Sequence, residues 1–135
     1  MTKEHFLMLF NAENGNINIE NGDMDFVSFG NGEKILIMIP GLSDGLRTVK
    51  GMAVNLAYMY RCFSDSHTVY VISRKNKIEK GYSTRDMAAD YRAAMSKLGI
   101  SKADIVGVSQ GGMIAQYIAV DYPDVVGKLV LAVTL

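Results

Sequence analysis

Polar and apolar residues alternate along the early part of the chain, then give way to continuous apolar runs separated by helical stripes. Ile17 and Ile19 alternate with polar neighbours, and Met24, Phe26-Val27 and Phe29 follow the pair Asn21-Gly22. That pattern predicts a β-hairpin with a type I′ turn at Asn21-Gly22, closed by Gly30-Asn31-Gly32. Asn14-Gly15 predicts an earlier turn. Phe6 to Phe10 is an unbroken apolar run, which periodicity assigns to neither strand nor helix.

Lys34-Ile35-Leu36-Ile37-Met38-Ile39 is nearly all apolar, as suits a parallel strand buried on both faces. The loop Pro40 to Gly45 follows it. Leu46, Val49, Ala53, Leu56, Tyr60 and Phe63 then recur at steps of three and four, which predicts a helix over about 46–63 with one face on a sheet. Residues 68–73 read as the next strand. The stretch from Arg74 to Tyr82 carries Arg74, Lys75, Lys77 and Lys80 and reads as a solvated basic loop. Ser83 with Asp86 forms a capping-box pattern. The helix it opens lines up Met87, Tyr91, Met95 and Leu98, and Gly99 stands where a C-terminal cap belongs. A strand over 103–108, a helix to about Tyr122 closed by Pro123, and an apolar strand over 128–135 complete the chain. After the hairpin the order is β-α-β-α-β-α-β. This is an α/β class protein: a mostly parallel sheet with helices on both faces, preceded by an N-terminal β-hairpin.

The chemistry concentrates at Gly107-Val108-Ser109-Gln110-Gly111, which lies between a strand and a helix. A G-x-S-x-G sequence in that context is a nucleophile elbow. The turn is tight enough to strain the nucleophile's backbone, and small residues two positions either side let strand and helix approach. Gly107 and Gly111 occupy those positions, and Gly112 adds clearance. Ser109 Oγ would then stand above the carboxyl edge of the sheet, with the Gln110 amide aimed at a developing oxyanion.

Composition narrows the class. The 135 residues make one domain, and a formal net charge of zero with 49% hydrophobic residues gives no footprint for nucleic acid or a membrane surface. No metal cluster and no G-x-G-x-x-G follow from the sequence, so neither a metal nor another cofactor is expected, and a dinucleotide-binding domain is disfavoured. The single cysteine, Cys62, reads as a small packed hydrophobe in a reducing compartment, most simply the cytoplasm. The N-terminus lacks the pattern of a signal peptide, and no apolar run is long enough to span a bilayer.

Four stretches together resemble the N-terminal half of an α/β-hydrolase-fold protein: Ile37 to Leu42, Asp86 to Asp90, Gly107 to Met113, and Asp121-Tyr122-Pro123 with the strand after it. The resemblance implies that Ser109 is the nucleophile, that the Gln110 amide is one oxyanion donor and that the Leu42 amide is the second. Pro40 stands where the family often has histidine. The resemblance also places the triad acid and histidine after later strands, beyond Leu135, so residues 1–135 read as the first part of a single hydrolase domain without its cap. His5 and His67 both precede Ser109, and His67 is expected at the amino edge of the sheet, away from it. The implied activity is hydrolysis of a small-molecule ester, thioester or lactone through an acyl-enzyme; acyl transfer and perhydrolysis are variants on the same site. Family members that open epoxides or remove halides use an aspartate nucleophile, which Ser109 argues against. The alternative is a truncated, inactive hydrolase half serving as a binding or assembly module. The apolar strand 128–135 is expected to need cover, from a second copy in a homodimer or from another chain.

Overall fold

The computed structural model describes residues 10–41 and 48–132. Six strands form one sheet in the order β1-β2-β4-β3-β5-β6. In chain order they are β1 (Glu13–Ile19), β2 (Gly22–Phe29), β3 (Lys34–Ile39), β4 (His67–Lys75), β5 (Ala103–Val108) and β6 (Val126–Ala132). Helices α1 (Ala53–Met59), α2 (Thr84–Lys97) and α3 (Gln110–Asp121) fill the connections, with 3₁₀ turns at Arg61–Phe63 and Pro123–Val125. β1, β2 and β4 pair antiparallel, whereas β4, β3, β5 and β6 run parallel.

Two apolar layers flank the sheet. On one side Ile37, Ile39, Ile72 and Ile105 pack against Tyr91 and Met95 of α2 and Ile114 and Ile118 of α3. On the other, Val27, Phe29, Leu36, Met38, Val69 and Val71 pack against Ala53, Leu56 and Ala57 of α1. The chain moves one way across the sheet from β3 to β4, and the other way from β4 to β5 and from β5 to β6. With crossovers of one hand, that reversal puts α1 on one face and α2 and α3 on the other. It also makes the carboxyl ends of β3 and β5 the point where adjacent connections diverge, which is where a crevice opens in such sheets.

The capping box at α2 is present: Ser83 Oγ accepts from the Asp86 amide at 3.0 Å, and Asp86 Oδ2 accepts from the Ser83 amide at 2.8 Å. The Ser83 amide, and after it the Ser83 hydroxyl, hold the Asp86 carboxyl below its usual range. Gly99 caps the far end of α2 with φ 73°.

Several sequence expectations need correction. Asn14-Gly15 does not turn; it lies inside β1, where Gly15 pairs with Phe26. The Phe26 ring lies across Gly15, 2.3 Å from where a Cβ would stand, so the glycine is there for the ring. The hairpin loop is Glu20-Asn21, because Ile19 and Gly22 are already paired. Neither loop residue has a positive φ, so the turn is not type I′; only Gly22 carries one, at 153°. The helix expected over 46–63 is α from Ala53 to Met59 only. Gly51 takes φ 76°, which no continuous helix passes through, and the Asn14 side chain receives the Ala53 amide at 3.1 Å. Leu46 lies outside the described residues, as do residues 1–9 and 133–135. Cys62 is exposed on the 3₁₀ turn and is not a packed hydrophobe.

Candidate active site

β5 ends at Val108 and α3 starts at Gln110, so Ser109 alone makes the junction. Its backbone adopts φ 53° and ψ −119°. Apart from Asn11, it is the one non-glycine residue with positive φ among the described residues. Such a conformation costs about 1–3 kcal/mol and persists only where neighbours enforce it. The neighbours are identifiable. A Cβ on Gly107 would lie 2.4 Å from the Gly111 carbonyl oxygen and 2.6 Å from Gly112 Cα. One on Gly111 would lie 2.2 Å from the Ile39 carbonyl oxygen. Each contact is with backbone, so only glycine allows α3 to pack this close to β5 and β3. The Gly112 amide closes the turn on the Ser109 carbonyl at 2.8 Å, and the Ser109 amide donates to Ala132 in β6 at 3.0 Å.

The loop after β3 comes to the same place. Ile39 pairs with Gly107, so Pro40 and Gly41 run level with Val108 and Ser109. A Cβ on Gly41 would lie 2.9 Å from Ser109 Cβ, so a side chain there would press on the serine. Gln110 is the first residue of α3, where amides have no partner within the helix and the helix dipole favours negative charge. An oxygen bearing developing charge beside Ser109 would face that helix end. An apolar cavity of about 390 Å³ borders the junction through Pro40 and Val108 and runs beneath Met52, Leu56 and Met59.

The fold brings together Gly41, Gly107, Ser109, Gln110 and Gly111. Leu42 and His5 lie outside the described residues. His67 is the first residue of β4, at the opposite edge of the sheet from Ser109. Its Nε2 lies 3.2 Å from Asp104 Oδ2, and its Nδ1 lies 2.7 Å from Ser66 Oγ. Asp104 also accepts the Lys128 amide of β6 at 2.8 Å. That backbone donor, followed by the imidazole, outweighs partial burial and holds the Asp104 carboxyl below its usual range.

The expected basic loop is half wrong. Arg74 and Lys75 belong to β4 and are only 5% and 3% exposed, whereas Lys77 and Lys80 are exposed. Lys75 Nζ stands 4.2 Å from the centroid of the Tyr82 ring. The Tyr82 hydroxyl lies 2.7 and 2.8 Å from the two carboxylate oxygens of Asp90. Burial pushes the Asp90 carboxyl up, against the pull of Tyr82 and Lys75. Sequence patterning also missed Asp25, Thr48 and Ser73. The available signal was a charged residue, Asp25, in strand alternation with Val27 and Phe29 on the apolar face.

No helix among the described residues is long and apolar enough to cross a membrane. The chain is 32% identical over 117 residues to the 2-hydroxy-6-oxononadienedioate/2-hydroxy-6-oxononatrienedioate hydrolase of a Pseudomonas species, covering 82% of this chain and 40% of that protein. It is 28% identical over 115 residues to epoxide hydrolase 1 of Caenorhabditis elegans, covering 84% of this chain and 28% of that one. The chain therefore spans less than half the length of these curated relatives. The solved structure of Est816, described as an N-acyl homoserine lactone degrading enzyme, superposes with a TM-score of 0.70 at 25% identity, over 89% of this chain and 45% of that one. The family model described as alpha/beta hydrolase fold matches residues 34–135, from the first parallel strand through the strained serine to β6, and the chain belongs to that family.

Proposed function

We propose that the protein carrying this chain is a serine hydrolase that cleaves a carboxylic ester, thioester or lactone through an acyl-enzyme on Ser109. The observation that carries the reading is the backbone of Ser109, held at φ 53° and ψ −119° between Gly107 and Gly111 at the carboxyl edge of the sheet. Strain of that size is tolerated where the residue has chemical work to do. Lactone degradation by Est816 fits this class, whereas the Pseudomonas relative, named for a keto dicarboxylate, supports hydrolysis but not the ester, thioester or lactone bond.

In this mechanism Ser109 Oγ attacks the carbonyl carbon while a base from outside the described residues takes its proton. The carbonyl oxygen becomes an oxyanion at the Gln110 amide and the positive end of α3. The bond to the alcohol, thiol or ring oxygen then breaks, and that leaving group receives the proton from the base. Water repeats the sequence on the acyl-enzyme and releases the acid. Leu42 supplies the second oxyanion amide, and the apolar cavity beside Val108 accepts an apolar part of the substrate.

The test is acylation of the full protein by p-nitrophenyl acetate, followed by intact mass and peptide mapping. A burst of p-nitrophenol with one acetyl group on Ser109, lost in Ser109→Ala, is expected. An acetyl group on any other residue, or no burst at all, would overturn the reading.

A further inference from the structure

The apolar cavity beside Ser109 lies on one side of the sheet only. Gly107 faces α3, since a Cβ there would meet Gly111 and Gly112. Side chains alternate along a strand, so Val106 and Val108 face the α1 side, where Val106 packs against the layer of Leu36 and Met38. Val108, next in the chain to Ser109, borders the cavity there. Pro40 borders it at the end of β3, next to Gly41, where a Cβ would lie 2.9 Å from that of Ser109. The residues adjoining the serine therefore frame the mouth of the cavity.

Behind this mouth, Met38 and Val71 form the floor, and Met52, Leu56 and Met59 form the wall. The wall residues fall four and three apart, one stripe formed by α1 and the residue that caps it. Leu56 is buried, whereas Met59 is 62% exposed. Among the described residues that border the cavity none is charged, and only Tyr60 carries a polar side-chain group. Its volume of about 390 Å³ is at the small end of the range of about 300–1,000 Å³ for small-molecule sites.

A carbonyl carbon held at Ser109 has three groups to place. Its oxygen points to the Gln110 amide at the start of α3, a helix packed on the opposite side of the sheet from α1. One of the other two groups can then descend on the α1 side. The leaving group has to take a proton from the base and depart before water enters, which favours the open carboxyl edge. The acyl group stays attached to the serine through both halves of the reaction, which favours the enclosed side.

We infer that this cavity is the acyl site, and that the acid part of the substrate is an uncharged aliphatic chain. At about 30 Å³ for a group the size of a water molecule, the cavity has room for about a dozen such groups, which suits an acyl chain of about six to eight carbons. Met52 and Leu56 limit its length. A terminal carboxylate is disfavoured, because no charged group among the described residues borders the cavity to receive it and an unpartnered buried charge is costly. The inference rests on the proposed function and narrows its ester, thioester or lactone to one with this acid part.

The experiment measures kcat/KM of the full protein on p-nitrophenyl acetate, butyrate, hexanoate, octanoate and decanoate, on the mono-p-nitrophenyl ester of adipic acid, and on the isomers ethyl hexanoate and hexyl acetate. Met52→Trp fills the wall, Leu56→Ala hollows it, and Asn55→Ala, exposed on α1, is the control. The wild type is expected to gain about fourfold per methylene from acetate to hexanoate and to prefer ethyl hexanoate to hexyl acetate. The adipate ester, with a carboxylate at the end of the chain, should fall at least about 100-fold below hexanoate. Met52→Trp should lower the hexanoate value about 10-fold with acetate within about twofold, and Leu56→Ala should move the preferred chain to decanoate. If an enzyme that acylates at Ser109 shows rates flat with acyl length, prefers hexyl acetate, or accepts the adipate ester as well as hexanoate, the acyl site is overturned and the serine mechanism stands. A length profile unchanged in both wall variants overturns it equally. A wild type that never acylates overturns both.

Discussion

Gly111→Ala sets helix propensity against packing. Gly111 is the second residue of α3, and alanine in place of a helical glycine favours the helix by about 1 kcal/mol. The surroundings oppose it. The new Cβ would lie 2.2 Å from the Ile39 carbonyl oxygen and 2.9 Å from its carbonyl carbon. These atoms belong to the backbone of β3, so no side-chain rotation relieves the contact. To restore van der Waals distance α3 must withdraw from β3 by about 1 Å, which forfeits a quarter to a half of the dispersion energy between the facing atoms. The atoms affected are those of Ile114, Ala115 and Ile118 against Ile37, Ile39 and Ile105, all essentially buried. Overpacking costs about 1–3 kcal/mol, and a rigid backbone obstacle puts this site at the upper end. Subtracting the helix gain leaves a net loss of about 2 kcal/mol. At about 4 °C per kcal/mol for a chain of this size, Tm should fall by about 8 °C. The same withdrawal moves the Gln110 amide, and a displacement of about 1 Å should slow acylation about 100-fold. Thermal unfolding by far-ultraviolet circular dichroism reads the first effect, with the exposed Gln116→Ala on α3 as a control that stays within about 0.5 kcal/mol. If Gly111→Ala melts at or above the wild-type temperature, the close approach of α3 to β3 is not what requires glycine.

Three further substitutions test the strain and the far edge of the sheet. Ser109→Gly removes a positive-φ penalty of about 1–3 kcal/mol and pays about 0.5–1 kcal/mol in chain entropy, so it should raise Tm by about 4 °C while abolishing acylation. Ser109→Ala, which keeps the penalty, should melt near wild type; equal melting of the two variants would deny the strain. Asp104→Asn weakens the carboxylate's hold on the Lys128 amide and His67. The Asp104 pKa is depressed in the folded state, chiefly by the Lys128 amide, so its contribution is present above the ordinary carboxylate pKa and is lost as pH falls through the lowered folded value. The Tm gap between wild type and Asp104→Asn should therefore be widest near neutral pH and shrink as pH falls below about 4. A gap that is constant with pH would refute the charge-assisted account.

What the sequence determined by itself is largely local. Apolar runs mark β3 and β5 to the residue: β3 is buried at four successive positions, and the one charged residue of β5, Asp104, lies at its amino end, where it meets His67 and the Lys128 amide. The Ser83–Asp86 box and Gly99 bracket α2, because helix ends need partners for their free amides and carbonyls close in sequence. The strained serine was legible for the same reason, since the glycines that permit it sit two residues away on either side.

The misreadings fall where partners come from far along the chain. Asn14-Gly15 carries a turn signal, but Phe26 from the opposite strand covers Gly15 and keeps it in β1. Arg74 and Lys75 look like a wet loop, yet β4 runs on through them, and Lys75 is taken up by the Tyr82 ring beside Asp90. Helix α1 begins late because Gly51 turns left-handed and the amide at its start is met by Asn14. Asp25 acquires partners only when a bulge in the β2–β4 pairing sets it beside Ser73, where the Thr48 hydroxyl and the Val49 amide, just ahead of α1, meet the two side chains. Periodicity records which face a residue prefers. Which groups meet across that face depends on strand order and register, and those are settled only when the whole sheet assembles.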